Sequence, residues 1–286
     1  MTILEDSMTS TSMKIGFIGG GNMAYALISG LTKNLGSDGL TLHVVGHHPE
    51  ALARLAAGFG ALTHTAIEPA LGACDVVVMA VKPQQMRDAA LELAGVLSAA
   101  KAAPLVLSVA AGIRMRDLAR WLGGHAAIVR CMPNTPALIG AGIAGMVASA
   151  GVTPVQRAIA DLVMQAVGST LWLDDEAQLD AVTAISGSGP AYVFYFIEAL
   201  QQAASELGLS QQQGTQLALA TFTGAAQLAA QSAEPVALLR ERVTSKGGTT
   251  FAALKVLQEH GVGAAIVQAA KAAAVRSAQL GDEFGA

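Results

Sequence analysis

Apolar residues follow two different rhythms in this chain, and the rhythm changes near residue 174. Before it, short unbroken apolar runs alternate with stretches of helical spacing. Met13-Lys14-Ile15-Gly16-Phe17-Ile18 reads as a buried strand, and residues 24–31 as a helix. Residues 40–46 form a second strand and 51–57 a helix. A fully apolar strand over 74–81 is followed by a helix over 83–97, then a strand over 104–109 and a helix over 113–122. Residues 126–130 and 143–147, a helix at 154–167 and a last strand at 170–173 complete the sheet. This alternation predicts an α/β fold, a parallel, doubly wound sheet with right-handed crossovers.

After residue 174 the strand signals vanish. Helices are expected at 175–185, 190–207, 210–231, 236–242, 249–260 and 262–279. Their alanine-rich faces permit close packing, and several carry apolar residues on more than one side. Such helices must be buried somewhere. An all-α domain over 175–286 that intertwines with a second copy would meet that need. The expected division is therefore a disordered extension at 1–12, a doubly wound α/β domain at 13–174 and the helical domain at 175–286. Residues 1–12 are polar and acidic and lack the basic-plus-apolar pattern of a signal peptide, and Met8 or Met13 could begin the folded part.

Composition narrows the classes. Charged residues make up 13% of the 286, against about 25% in ordinary soluble domains, while 52% are hydrophobic. So little charge suggests that part of the surface is covered by other subunits. A net charge of −4 gives no footprint for nucleic acid. No continuous apolar span reaches about 20 residues, so no membrane helix is expected. Cys74 and Cys131 lie in apolar strand surroundings and read as reduced core residues, with no metal site. A cytoplasmic location follows.

The candidate chemistry begins at Gly19-x-Gly21-x-x-Ala24, directly after the first strand and opening the first helix. That order fits the dinucleotide fingerprint: Gly19 for the tight turn, Gly21 for the approach of a pyrophosphate, and Ala24 for close helix–strand packing. Asn22 and Met23 stand at the helix start and join the cofactor-binding set. Three further motifs follow strands at their carboxyl ends. These are Ala80-Val81-Lys82-Pro83-Gln84, Ser108-Val109-Ala110-Ala111-Gly112 and Cys131-Met132-Pro133-Asn134-Thr135-Pro136. Ala80, Lys82, Pro83, Ala110 and Asn134 are thus candidates for the nicotinamide end; a solvated lysine, a tight turn and a proline-rich turn are the plainer readings. The second strand ends in His47-His48 with no acid, and Arg54 follows one helical turn on. These three could receive a 2′-phosphate, favouring NADPH, while Glu50 keeps NADH open. Ser188, before Gly189-Pro190, is placed to cap a helix.

The segment Val243-Thr244-Ser245-Lys246-Gly247-Gly248-Thr249-Thr250 interrupts a helix-forming background with hydroxyls, a cation and a glycine pair. Converging backbone N–H groups at a following helix N-terminus favour an anion. A polar turn between two helices is the alternative.

Taken together, GFIGGGNMA, AVKPQ, SVAAG, RCMPNTP, DAVTAISGSGPAY and VTSKGGTT resemble pyrroline-5-carboxylate reductases, in the right order from Met13 onward. The resemblance implies a Rossmann domain, a helical dimerisation domain and assembly of homodimers, often into a decamer. It implies NAD(P)H-dependent reduction of the cyclic imine pyrroline-5-carboxylate to L-proline. By that similarity the substrate loop comprises Thr244, Ser245, Gly247, Gly248 and Thr250. Thr250, Lys82 and Asn134 become the expected catalytic residues: Thr250 hydrogen-bonding the imine nitrogen, the others lining the nicotinamide. The spacing between Pro235 and Val243 is one residue longer than expected, which leaves the preceding helix unaligned.

Two rivals stand beside this reading. A 3-hydroxy-acid dehydrogenase should carry a catalytic lysine on the helix after the glycine-rich start, and residues 190–207 contain none. A non-catalytic NADP sensor would have no use for the intact loop. None of the six histidines lies in a site motif apart from His47 and His48, which counts against a histidine-dependent 2-hydroxy-acid dehydrogenase.

Overall fold

A computed structural model describes residues 12–100 and 103–285. The expected extension at 1–12 lies outside them except for Ser12, whose hydroxyl is 2.8 Å from that of Thr41. The chain forms two compact units. One holds the described residues up to Gly187 together with those from Ala273 onward; the other runs from Ser188 to Ala272.

The first unit is built on one eight-stranded sheet. Its strands are β1 (Met13–Ile18), β2 (Leu40–Val45), β3 (Leu62–His64), β4 (Val76–Met79), β5 (Leu105–Ser108), β6 (Ile128–Met132), β7 (Gly142–Ala148) and β8 (Gly168–Trp172), in the order β3-β2-β1-β4-β5-β6-β7-β8. β1 to β6 are parallel to one another, and the order reverses between β1 and β4. Consecutive side chains of the apolar strands point to opposite faces. Ile15, Phe17, Val76, Val78, Leu105 and Leu107 therefore join one core layer, and Val77, Met79 and Val106 the other. The helices of this unit are α1 (Asn22–Leu35), α2 (Pro49–Phe59), α3 (Met86–Ala99), α4 (Met115–Trp121), α5 (Pro154–Gln165) and the short α6 (Gln178–Val182). α1 and α5 approach so closely that a Cβ at Gly30 would collide with the Ala166 carbonyl.

Two details depart from the sequence expectation. β7 runs antiparallel to β6. Residues 133–141 fall short of the roughly dozen residues a parallel crossover needs, so the chain turns back; α5 then supplies a crossover and β8 lies parallel to β7. β3 was not expected, since Leu62-Thr63-His64 is too short to show a period and pairs only with β2.

After α6 comes a single π-helical turn, Thr183–Gly187. Such turns widen a helix locally and recur at functional sites. Around it, Val182 packs where a side chain on Gly145 would stand, and Met132 where one on Gly187 would stand.

The second unit contains α7 (Gly189–Glu206), α8 (Gln211–Gln231), α9 (Val236–Arg242), α10 (Thr249–Glu259) and the first part of α11 (Val262–Gly285). α8 starts with a reciprocal cap between Ser210 and Gln213. α7 and α8 pair as a hairpin in which Gly214 lies against Ala204, and Gln201 donates to the Thr215 hydroxyl at 3.0 Å. Within this unit few side chains are buried, Ile197 and Ala218 among them. Phe194 is 60% and Tyr195 72% exposed, and Leu217, Leu228 and Val256 are also on the surface.

From Ala273 onward α11 belongs to the first unit. Ser277 donates to Asp180 at 2.6 Å, and Arg114 pairs with Asp282 at 2.6 Å and donates to the Ala278 carbonyl at 3.1 Å. Arg120 reaches the Gly285 carbonyl at 2.6 Å, and Phe284 packs on the core layer that holds Trp121.

Candidate active site

The carboxyl ends of the parallel strands around the β1/β4 switch carry the residues expected to hold a dinucleotide. The turn after β1 is pinned on both sides: Gly19 N–H donates to the Val45 carbonyl and Ala80 N–H to the Ile18 carbonyl, each at 2.8 Å. Gly19 has φ +105°, and a Cβ there would lie 2.5 Å from the Ala80 carbonyl oxygen, so only glycine fits. Gly21 is the N-cap of α1. Its side-chain position faces open space, with nothing within 4 Å, and no side chain caps the helix. The first N–H groups of α1 lack intrahelical partners and sit at the positive end of its dipole. A pyrophosphate fits this cradle. Ala24 is fully buried under it.

At the end of β2, His47 and His48 are exposed, and His48 is the N-cap residue of α2 without bonding it through its side chain. The Arg54 guanidinium lies 4.3 Å from the centre of the Tyr25 ring, which meets Phe59 edge-on at 5.4 Å. Arg54 is thus laid along α1 by a cation–π contact, with its N–H edge left for an anion.

Past β4, Lys82 is exposed at the head of a 3-10 turn, Pro83–Gln85, whose last N–H returns to the Lys82 carbonyl at 2.9 Å. Its backbone is fixed while its ammonium is in solvent. Past β5, Ala110 is buried, and so is the Ser108 hydroxyl, which has no partner among the described residues. Past β6, Asn134 heads the 3-10 turn Thr135–Ile139, and its side-chain oxygen accepts the Ile143 N–H at 3.0 Å. That bond ties β6 to the start of β7.

The loop at 243–250 lies in the other unit. Gly248 N–H donates to the Ser245 carbonyl at 3.0 Å, closing a turn with Gly247 at φ +74°. Gly248 is the N-cap of α10, again with no side-chain cap, so the N–H groups of Thr249 and Thr250 open the helix unpartnered within it. The Ser245 hydroxyl sits 2.5 Å from where a Cβ on Gly248 would stand. Thr244 is engaged differently: its hydroxyl donates to the Arg240 carbonyl at 2.6 Å, closing the end of α9.

Residues 14–112 match the family described as NADP oxidoreductase, coenzyme F420-dependent, and residues 176–280 match pyrroline-5-carboxylate reductase dimerisation. The pyrroline-5-carboxylate reductase of Pseudomonas aeruginosa is 45% identical over 95% of this chain and 98% of its own length. The chain belongs to the pyrroline-5-carboxylate reductase family. Solved members of that family share its fold. The Coxiella burnetii reductase superposes with a TM-score of 0.87 at 38% identity, covering 94% of this chain and 99% of its own. The Plasmodium falciparum enzyme, crystallised with NADP bound, gives 0.81 at 28% identity, covering 94% and 98%.

As a pyrroline-5-carboxylate reductase family member, the chain has features that sequence reasoning did not find. Ser188 stands at the N-cap of α7, yet its side chain makes no cap bond, because its backbone is already helical (φ −85°, ψ −21°). Glu176 does a capping job instead: its carboxylate accepts the Met115 N–H at 2.6 Å and pairs with the buried Arg130. The only sequence sign of this was Glu176 in an acidic trio ahead of α6. Among the described residues there is no cluster able to hold a metal and no helix long and apolar enough to cross a membrane. Both cysteines are free and buried; burial pushes the Cys74 thiol up to about 11 and Cys131 higher still.

Proposed function

We propose that the protein reduces L-1-pyrroline-5-carboxylate to L-proline, the last step of proline biosynthesis, with NADPH as reductant. The observation that carries this is 45% identity to a named reductase across both the nucleotide-binding and the helical parts. The pinned glycine turn and the uncapped N-terminus of α1 support the cofactor half. NADPH, when bound, supplies the hydride. Gly19, Gly21, Asn22 and Met23 hold its pyrophosphate, and His47, His48 and Arg54 its 2′-phosphate. Ala80, Lys82, Pro83, Ala110 and Asn134 line its nicotinamide end. NADH, lacking the 2′-phosphate, is the alternative reductant.

The loop of the helical unit binds the substrate. Backbone N–H groups around Ser245 and Gly247 take the carboxylate, Gly248 closes the turn through its own N–H to the Ser245 carbonyl, and Thr250 hydrogen-bonds the imine nitrogen. Thr244 belongs to this set by shaping the loop, since its hydroxyl and its N–H both close the end of α9, on the Arg240 and Glu241 carbonyls. A cyclic imine is basic and can arrive already protonated, so the site needs orientation and a hydrogen bond more than a strong acid. Lys82 and Asn134 act on the nicotinamide side of the same reaction.

The exposed Phe194, Tyr195 and Leu217 support a homodimer formed through the region 175–286; assembly of the dimers to a decamer rests on the family resemblance alone. Sedimentation at micromolar concentration tests this: a monomer would refute the dimer, and a lone dimer the decamer. Two free, buried thiols fit a reducing cytoplasm.

The enzymatic test is NADPH absorbance with pyrroline-5-carboxylate, repeated with a 3-hydroxy acid and NADP. Turnover of only the hydroxy acid would replace this reading by a dehydrogenase, and turnover of neither by a sensor. Thr250→Ala at saturating NADPH should lower kcat about 10- to 100-fold; wild-type turnover would remove Thr250 from its role.

A further inference from the structure

We infer that the last turns of α11, residues 277–285, position the loop after β5 and so set the nicotinamide end of the cofactor site. The inference rests on the reductase reading for what Ala110 faces, but the bracing itself stands on contacts. Ser277, Gly281 and Gly285 recur every four residues, on one face of the helix. Each meets a different group of the first unit. Ser277 bonds Asp180; a Cβ at Gly281 would lie 2.9 Å from Nε of Arg114; one at Gly285 would collide with the Asp117 carboxylate. Beside this small-residue face, Leu280 and Phe284 close over Gly112, both within 3.3 Å of where its Cβ would stand.

The loop does not hold its shape alone. Gly112 is left-handed at φ +73°, and Arg114, the N-cap of α4, makes no side-chain cap. Arg114 instead spends its guanidinium on Asp282 and the Ala278 carbonyl. On its inner side the loop is joined to the sheet by the Val109 N–H, which donates to the Met79 carbonyl at 3.2 Å, and by Ala110 and Ile113, which pack into the core layer. With Ala110 and Ile113 packed inward and α11 closing on Gly112 between them from outside, the set of this turn depends on both sides, and small misplacements of a reacting group cost rate steeply.

Phe284→Ala removes the ring over Gly112 and touches nothing proposed to contact ligand. In hydrogen exchange, the segment 109–113 should exchange faster while β1 and β4 keep wild-type protection. The Kd for NADPH, read by fluorescence titration, should rise about tenfold, with the KM for pyrroline-5-carboxylate within about twofold of wild type. A folded variant with unchanged exchange and unchanged Kd overturns the inference, as does an equal rise in both constants, which would mark general destabilisation. If Phe284→Ala does not fold, Asp282→Asn weakens the clamp at a largely exposed carboxylate. It should give faster exchange at 109–113 and a rise in Kd of about two- to threefold; wild-type values in both overturn the inference. Wild-type protein that binds no NADPH would refute the reductase reading instead, and the exchange result would still decide the brace.

Discussion

The side-chain oxygen of Asn134 accepts the backbone N–H of Ile143 at 3.0 Å, which fixes the amide and leaves its NH2 group as the donor it can offer a ligand. Structure and chemistry are therefore separable at one residue. Asn134→Asp keeps the acceptor for Ile143 and loses the donors: its melting temperature should stay within a few degrees of wild type while kcat/KM falls about tenfold or more. Asn134→Ala should lose both stability and activity. Equal activity in Asn134→Asp and wild type would confine Asn134 to the β6–β7 turn.

Gly19 and Gly21 make opposite predictions although two residues apart. Gly19→Ala meets the Ala80 carbonyl from a left-handed backbone and should destabilise the fold by about 2–5 kcal/mol. Gly21→Ala projects a methyl into open space. It should melt like wild type yet bind NADPH about tenfold more weakly, because that space is the one proposed for the pyrophosphate. Chemical denaturation and cofactor titration of both variants check the pair.

Arg54 is held over Tyr25, which aligns it before any anion arrives. Arg54→Gln should raise the KM for NADPH about tenfold and leave that for NADH nearly unchanged. Tyr25→Leu, removing the stack alone, should shift the same ratio by about two- to threefold. Parallel changes with both cofactors would place the 2′-phosphate elsewhere.

His43 and His125 are both held below the ordinary histidine value of 6.5. For His43 burial is the main cause, with His64 and Lys14 adding to it. For His125 burial outweighs the hydrogen bond at the Pro104 carbonyl, 2.9 Å away. Since the folded state binds these protons more weakly than the unfolded chain, stability should be full above about pH 6.5 and decline as the pH falls below it. Urea unfolding from pH 8 to 5 should show that decline, and His125→Gln should flatten it. A slope unchanged in His125→Gln would assign the decline to other groups.

How much of this could be read in the residues varies with the kind of interaction involved. Apolar runs such as Val76–Met79 and the periodic stretches behind α7 to α10 are local signals, and each produced its element within a few residues. The glycine turn was equally plain, because Gly19 and Gly21 sit between a strand and a helix. The antiparallel β7 was hidden, since direction depends on loop length more than on strand composition. The engagement of Thr244 with Arg240 was hidden because a hydroxyl in a loop does not announce which carbonyl it meets. Least legible was the destination of α11: its repeat of small residues marks a face, and nothing in the repeat says that Arg114 and Asp117 wait opposite it.

Because Arg114 finds Asp282 so late in the chain, the first unit is discontinuous in time as well as in sequence. At about 5–20 residues per second, synthesis separates the two residues by roughly ten to thirty seconds. A growing chain can lay down the sheet from β1 to β8 during that interval, while the corner at Gly112 stays open until α11 emerges. A nascent chain stalled before Ala273 should therefore carry its sheet and its glycine turn, with the β5 loop still unset.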